Sequence, residues 1–371
     1  MKLLEKTTLG TQILKNRMAM APMTRSRADL NGVVNDLTVL YYTQRASAGL
    51  IISEGINISE QALGSPFTPG IYSQEQIEAW KKVTQSVHDK GGVIYAQLWH
   101  TGRVGHSSIK NGELPVAPSA IAIEGQKHFT GSGMEDYETP RALTNHEVKQ
   151  IVKDYKQAAI NAVGAGFDGV ELHAAFGYLP NQFLAESSNQ RTDEYGGSIE
   201  NRNRFVLEVM ESMVNAIGSD KVGIKLSPTI PFNGIINNEP IEQFTVLINA
   251  LNDLPLAYIH LMNALFPLDK LPHYPKNVIE TFGTLSKHTV IANGLYNREE
   301  SEAELERGIA QMVSFGALYL ANPDLPKRFE LNADLNEPDK ATMYGGAEKG
   351  YTDYPFLDAN QYSERKNELV S

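Results

Sequence analysis

DGVELHAAFGYLPNQFLAESSNQRTDEYGGSIENRNR, residues 168–204, opens as a buried strand and closes as a helix. Val170 and Leu172 alternate with Glu171 and His173, the two-residue period of a strand. The strand ends on His173, a long loop rich in Asn, Gln, Arg, Asp and Tyr follows, and Ser198 starts a helix. A histidine at the carboxyl end of a strand is where a parallel barrel places a group that polarises its ligand.

Outward from this stretch, short β-branched runs alternate with amphipathic segments, the pattern of a parallel sheet with crossover helices. Eight strands are predicted: Arg17–Thr24, Leu50–Gly55, Val93–Trp99, Gly169–His173, Val222–Ser227, Tyr258–Met262, Val290–Asn293 and Met312–Gly316. Capping boxes, in which a side chain covers an orphan N–H and its partner three residues on reaches back, start helices at Ser73/Gln76, Thr144/Glu147 and Asn297/Glu300. Behind Thr144, the residues Val148, Ile151, Val152, Tyr155 and Ala159 make one apolar stripe, and Gly164 and Gly166 stop the helix. A closed (β/α)8 TIM barrel fits best. An open doubly wound sheet stays possible, although no strand is followed by G-x-G-x-x-G. Residues 1–16 read as a hairpin capping the barrel floor, and 101–143 as a lid or subdomain over the strand ends, all within a single domain. The stretch 360–371 reads as a frayed polar helix.

Composition narrows the function. A formal charge of −11 without a basic run argues against nucleic acid or an anionic membrane as partner. The absence of cysteine removes disulfides, thiolate nucleophiles and Cys-ligated metal. The amino end lacks the apolar core of a signal peptide, so a cytoplasmic protein is expected. His100, His106 and His173 do not stand at metal-ligand spacing from carboxylates, and no G-x-S-x-G elbow is present.

In a barrel the strand ends face one mouth. Thr24, Gln97, Trp99, His173 and Lys225 would therefore converge there around a planar ligand. Strands seven and eight would end at Asn293-Gly294 and Phe315-Gly316, where barrels commonly hold phosphate on backbone N–H groups. Taken singly, each has a plainer reading: a satisfied core polar for Gln97 and Thr24, packing for Trp99, a turn for Gly294. Lys225 resists that reading, because an ammonium inside a strand is costly without a partner. Spacing alone reaches only a ligand-binding barrel.

The strings KNRMAMAPMTRSRA, QLWHTGR, VGIKLSP, VIANGLYN, VSFGALYLANPDLP and MYGGAEKGYTDYP, together with the specific RTDEYGGSIENR, resemble the old yellow enzyme family over nearly the whole chain. The resemblance implies a TIM barrel holding FMN, NADPH or NADH as hydride donor, and electron-poor alkenes as acceptors. It implies that Thr24 tunes the flavin, that Gln97 bonds its pyrimidine side, and that Lys225 faces N1 and O2. It further implies that His173 bonds the substrate oxygen, that Tyr178 protonates the α-carbon, and that Trp99, Phe176 and Tyr344 wall the substrate. Gly294, Gly316 and Ala317 would hold the phosphate, with Pro22, Met23, Gly55 and Asn293 completing the cofactor set. Three positions depart from the family pattern: Phe176 for the usual Asn or His, Ala317 for the usual Arg, and Lys225 for Arg. A degenerate barrel with weak FMN binding, serving as a binding or sensor protein, is the alternative that these departures suggest.

Overall fold

The computed structural model describes residues 1–358. The segment read as a frayed polar helix, 360–371, lies outside the described residues. Eight parallel strands close a barrel: β1 (Met18–Met20), β2 (Leu50–Asn57), β3 (Ile94–Trp99), β4 (Gly169–Ala174), β5 (Val222–Leu226), β6 (Tyr258–Met262), β7 (Thr289–Asn293) and β8 (Met312–Phe315). They pair in chain order, and β8 returns to β1. This is the TIM barrel expected from the sequence.

The first strand is shorter than the predicted Arg17–Thr24. Ala21 N–H still donates to the Phe315 carbonyl at 3.0 Å, but Pro22 has no N–H with which to extend the ladder. Thr24 therefore sits on a loop past the strand rather than at its end. The second strand runs longer than predicted, with a register shift against β3 between Ile52 and Gly55.

The helices are α1 (Asp36–Gln44), α2 (Gln74–His88), α3 (Asn145–Gly164), α4 (Leu179–Leu184), α5 (Ile199–Ile217), α6 (Pro240–Leu251), α7 (Arg298–Glu306), α8 (Ala317–Ala321) and α9 (Leu325–Glu330). All three capping boxes form with both reciprocal bonds, at α2, α3 and α7. On α3 the residues Val148, Ile151, Tyr155 and Ala159 are buried, and Gly166 follows with φ +89°, a left-handed turn that suits glycine. Between β6 and β7 the link is a π-helical turn, Ile279–Gly283.

The barrel floor explains the amino-terminal segment. Thr7–Leu9 and Gln12–Leu14 pair antiparallel. Leu9 and Leu14 pack fully buried with Tyr95, Tyr258, Ile291 and Met312 in one cluster. The excursion after β3 carries two small pairs of strands, Val116–Ala117 with Arg141–Ala142 and Lys127–Phe129 with Met134–Asp136. Arg103 ties it to the barrel mouth, donating to the Ile121 carbonyl and to the Asn233 carbonyl beyond β5, each at 3.0 Å. Among the described residues no helix is long and apolar enough to cross a membrane.

Candidate active site

Register brings the inward side chains of neighbouring strands together. Glu171 pairs with Gln97, His173 with Lys225, and Lys225 with His260. Because side chains alternate along a strand, Glu171 and His173 share one face of β4 and both point into the barrel. The Glu171 carboxyl accepts from Gln97 Nε2 at 2.8 Å and meets His260 Nδ1 at 2.8 Å, while His260 Nε2 lies 2.8 Å from Ser314 Oγ. All four side chains are buried. The sequence reading missed Glu171, His260 and Ser314. Shared parity with His173 was the signal that pointed to Glu171. The bond from Gln97 to Glu171 uses one of the two Gln97 N–H donors, leaving the other and the carbonyl oxygen for a ligand.

Lys225 is buried, and its ammonium donates to Asn293 Oδ1 at 3.0 Å. The Phe176 ring centroid lies 5.6 Å from Nζ. Burial pulls the Lys225 pKa down to about 8, with Glu171 acting the other way. An ammonium with one neutral hydrogen-bond partner in the barrel interior favours an electron-rich ligand in front of it.

His173 is buried, and its Nδ1 has no hydrogen-bond partner; the same is true of Trp99 Nε1. The two rings lie 6.4 Å apart at 24°, and Tyr178 stands edge-on to both, 4.8 Å from His173 and 4.9 Å from Trp99. Burial first, then Lys225 and His260, push the His173 imidazole well below its usual pKa, so it is neutral near pH 7. Buried polar atoms are normally paired, and two orphaned nitrogens beside one another at the mouth leave donors or acceptors for a ligand.

Burial also pushes the Tyr178 phenol well above its usual range, with Tyr137 and Tyr344 adding to the effect. Tyr137 comes from the excursion and was not foreseen. Tyr344 is 68% exposed. It lies on an exposed loop, within electrostatic reach of Tyr178. Two buried arginines hold that loop. Arg25 donates to the Met343 and Gly350 carbonyls at 3.1 and 2.7 Å, and Arg27 to those of Thr342, Ala347 and Lys349. The same clamp fixes the Pro22-Met23-Thr24 loop, because Arg25 N–H donates to Glu54 Oε2 at 3.1 Å.

Gly55 touches a protein ring. A Cβ there would lie 2.6 Å from Trp99 Cε3, so the glycine is what lets Trp99 stand against β2. Phe176 has φ +57°, a left-handed conformation rare for a bulky residue and costing of order 1–3 kcal/mol. It is held by Ser227 Oγ, which accepts from its N–H at 2.9 Å, and by Asn233 Nδ2, which donates to its carbonyl at 2.8 Å.

Past β7 and β8 a cavity of about 420 Å³ is lined by Gly294, Gly316, Ala317, Arg298 and Arg328. Arg328 is committed to Asp324 Oδ1 at 2.7 Å and to the Asp334 and Pro355 carbonyls. Arg298 donates Nε to the Phe329 carbonyl and Nη1 to Glu299. The cavity therefore has guanidinium groups on its wall although position 317 supplies none. They were overlooked because they enter from α7 and α9 rather than from the residue after Gly316. The barrel mouth with its orphaned Trp99 and His173 nitrogens, the Lys225 ammonium and this glycine-lined cavity fit a planar ring with a phosphorylated tail.

Residues 2–336 match the model of the NADH:flavin oxidoreductase / NADH oxidase family. The chain is 42% identical to 12-oxophytodienoate reductase 1 of Oryza sativa subsp. japonica, over 96% of this chain and 93% of that one. It is 41% identical to a Leishmania infantum protein described as a probable flavin mononucleotide-dependent alkene reductase, over 96% of this chain and 97% of that one. Among solved structures, morphinone reductase in complex with tetrahydroNAD superposes with a TM-score of 0.91 at 47% identity, covering 97% of this chain and 99% of that one. The chain belongs to the NADH:flavin oxidoreductase / NADH oxidase family, in its old yellow enzyme branch.

Proposed function

We propose that this FMN-dependent alkene reductase takes hydride from NADPH or NADH and saturates small alkenes conjugated to a carbonyl or nitro group, in the cytoplasm. The observation that carries the reading is the unpaired, neutral imidazole of His173, set among Trp99, Tyr178 and Lys225. When bound, FMN supplies a two-electron carrier between nicotinamide and alkene. Lys225, steadied by Asn293, would face the electron-rich edge of the ring, and the carbonyl end of Gln97 its imide edge. The Pro22-Met23-Thr24 loop and Gly55 would border the ring. Gly294, Gly316 and Ala317 would hold the phosphate with backbone groups, with Arg298 adding charge from the side. His173 would donate a hydrogen bond to the substrate oxygen, and Tyr178 a proton to the α-carbon. Nicotinamide and alkene would use the same mouth in turn.

The test is anaerobic stopped-flow mixing. NADPH or NADH should bleach the FMN holoprotein, and 2-cyclohexen-1-one should then restore its colour. Failure of both nicotinamides to bleach it would overturn the assignment and favour the degenerate barrel. That alternative rests on Phe176, Ala317 and Lys225; against it stands Arg298, which borders the same cavity and shares its charge with Glu299 at 3.0 Å.

Lys225 makes FMN affinity depend on pH. Below about 8 the side chain is a cation; as pH rises through that value it loses the proton and its attraction for the ring. The FMN dissociation constant should therefore rise by up to about tenfold per pH unit above 8. Fluorescence titrations from pH 6.5 to 9.5 measure this, and Lys225→Arg should flatten the curve, since guanidinium stays charged. A flat wild-type curve would remove Lys225 from the ring.

A further inference from the structure

The loops after three consecutive strands each contribute one phenylalanine to a line that leads away from the catalytic histidine. Phe176 follows β4 and stands edge-on to His173, with centroids 6.1 Å apart. Phe232 follows β5 and lies 5.9 Å from Phe176 at 32°. Phe266 follows β6 and lies 6.4 Å from Phe232 at 39°. Phe232 is 44% exposed. Successive rings meet at 32° and 39°, so the three make an apolar ledge whose inner end, Phe176, stands edge-on to His173.

The ledge is also rigid. Phe176 keeps a left-handed backbone that its side chain disfavours, and the bond from Asn233 Nδ2 to its carbonyl locks the β4 loop to the β5 loop. Asn233 is itself left-handed, at φ +56°. Gly177 lets the two loops approach, since a Cβ there would sit 2.6 Å from the Phe232 carbonyl oxygen. Arg103 holds the far side of the same turn through the Asn233 and Gly234 carbonyls. Strain kept by this many bonds in the wall of a site is most readily understood as serving what binds there.

We propose that Phe176, Phe232 and Phe266 form an aryl subsite, so that the preferred acceptors are alkenes that carry an aromatic substituent beside the activated double bond. The subsite rests on the placement of the substrate oxygen at His173 given above. A flat ring laid along the ledge gains offset-stacked and edge contacts with successive phenylalanines. Those contacts favour an aryl group over an alkyl group of similar area. The exposed face of Phe232 is then covered by substrate.

Binding of phenols to the FMN holoprotein tests the subsite without requiring turnover. Phenol, 3-phenylphenol and 4-phenylphenol are titrated against wild type, Phe232→Ala and Phe266→Ala, reading the flavin spectrum. One of the phenylphenols should bind wild type about tenfold more tightly than phenol, and that ratio should collapse toward unity in Phe232→Ala. Phe232 is half exposed, so its truncation does not threaten the fold; a circular dichroism melt confirms this. The same ratio in wild type and Phe232→Ala, or no binding of any of the three phenols, would overturn the proposal. Failure of alkene reduction in stopped flow, with the phenylphenol ratio intact, would count against the reductase assignment and leave the subsite standing.

Discussion

His173→Ala is expected to slow reoxidation of the reduced holoenzyme by 2-cyclohexen-1-one by roughly 10²–10³-fold, the cost of deleting one donor to a developing oxyanion. As hydride reaches the β-carbon, negative charge builds on the carbonyl oxygen, and a fixed N–H there lowers the barrier. Three features place the effect at the upper end. The imidazole is buried, its Nδ1 has no protein partner, and the neighbouring Phe176 side chain has no donor to share the load. Stopped-flow absorbance resolves the step from reduction by nicotinamide, which should fall much less. A pH profile separates neutral from charged imidazole. With the His173 pKa well below 6.5, the rate should show no ionisation of this group between pH 6 and 9. A loss under tenfold, or a break near pH 6.5 that vanishes in the variant, would refute a neutral donor at this position.

How much of this is legible in the sequence depends on the kind of signal. Local rules carried the frame. The eight strands followed from hydrophobic runs, and three helix starts from capping boxes that form as read. Boundaries slipped where a single residue overrode the run, as Pro22 does in ending β1. Strand-end placement supplied His173, Trp99 and Lys225, the resemblance added Tyr178, and the fold does bring these four around one mouth. What stayed hidden was pairing across strands. The bond from Gln97 to Glu171 and the contact of Glu171 with His260 join residues 74 and 89 positions apart, so no window of sequence contains them. Gly55 shows a different limit: the resemblance gave it a place beside the cofactor, but its close approach to Trp99 shows only in the fold. The strain at Phe176 was invisible for a third reason: a positive φ is imposed by the surrounding loops and leaves no mark on a phenylalanine in the sequence.

Tyr178→Phe should reduce the rate of enone saturation by roughly 10²–10⁴-fold, the range for removal of a placed general acid, while reduction by NADPH changes by less than about threefold. The substitution is unusually clean here. The ring contacts Trp99 and His173 edge-on, at 4.9 and 4.8 Å, and phenylalanine preserves both, so the mouth keeps its shape and loses only a hydroxyl. Tyr178 starts α4 without using its side chain as a cap, so the helix does not depend on that hydroxyl either. Because burial holds the phenol well above its usual pKa, it stays protonated throughout the working range, and the wild-type rate should show no loss from Tyr178 ionisation up to pH 9. A solvent deuterium isotope effect on alkene saturation should accompany the wild-type step. Tyr137 and Tyr344 lie within electrostatic reach of Tyr178. If Tyr178→Phe keeps more than a tenth of its activity, and Tyr137→Phe in that background removes the remainder, the proton comes through the excursion over the mouth. Equal losses in the nicotinamide and alkene half-reactions would instead mean that Tyr178 shapes the pocket and donates no proton.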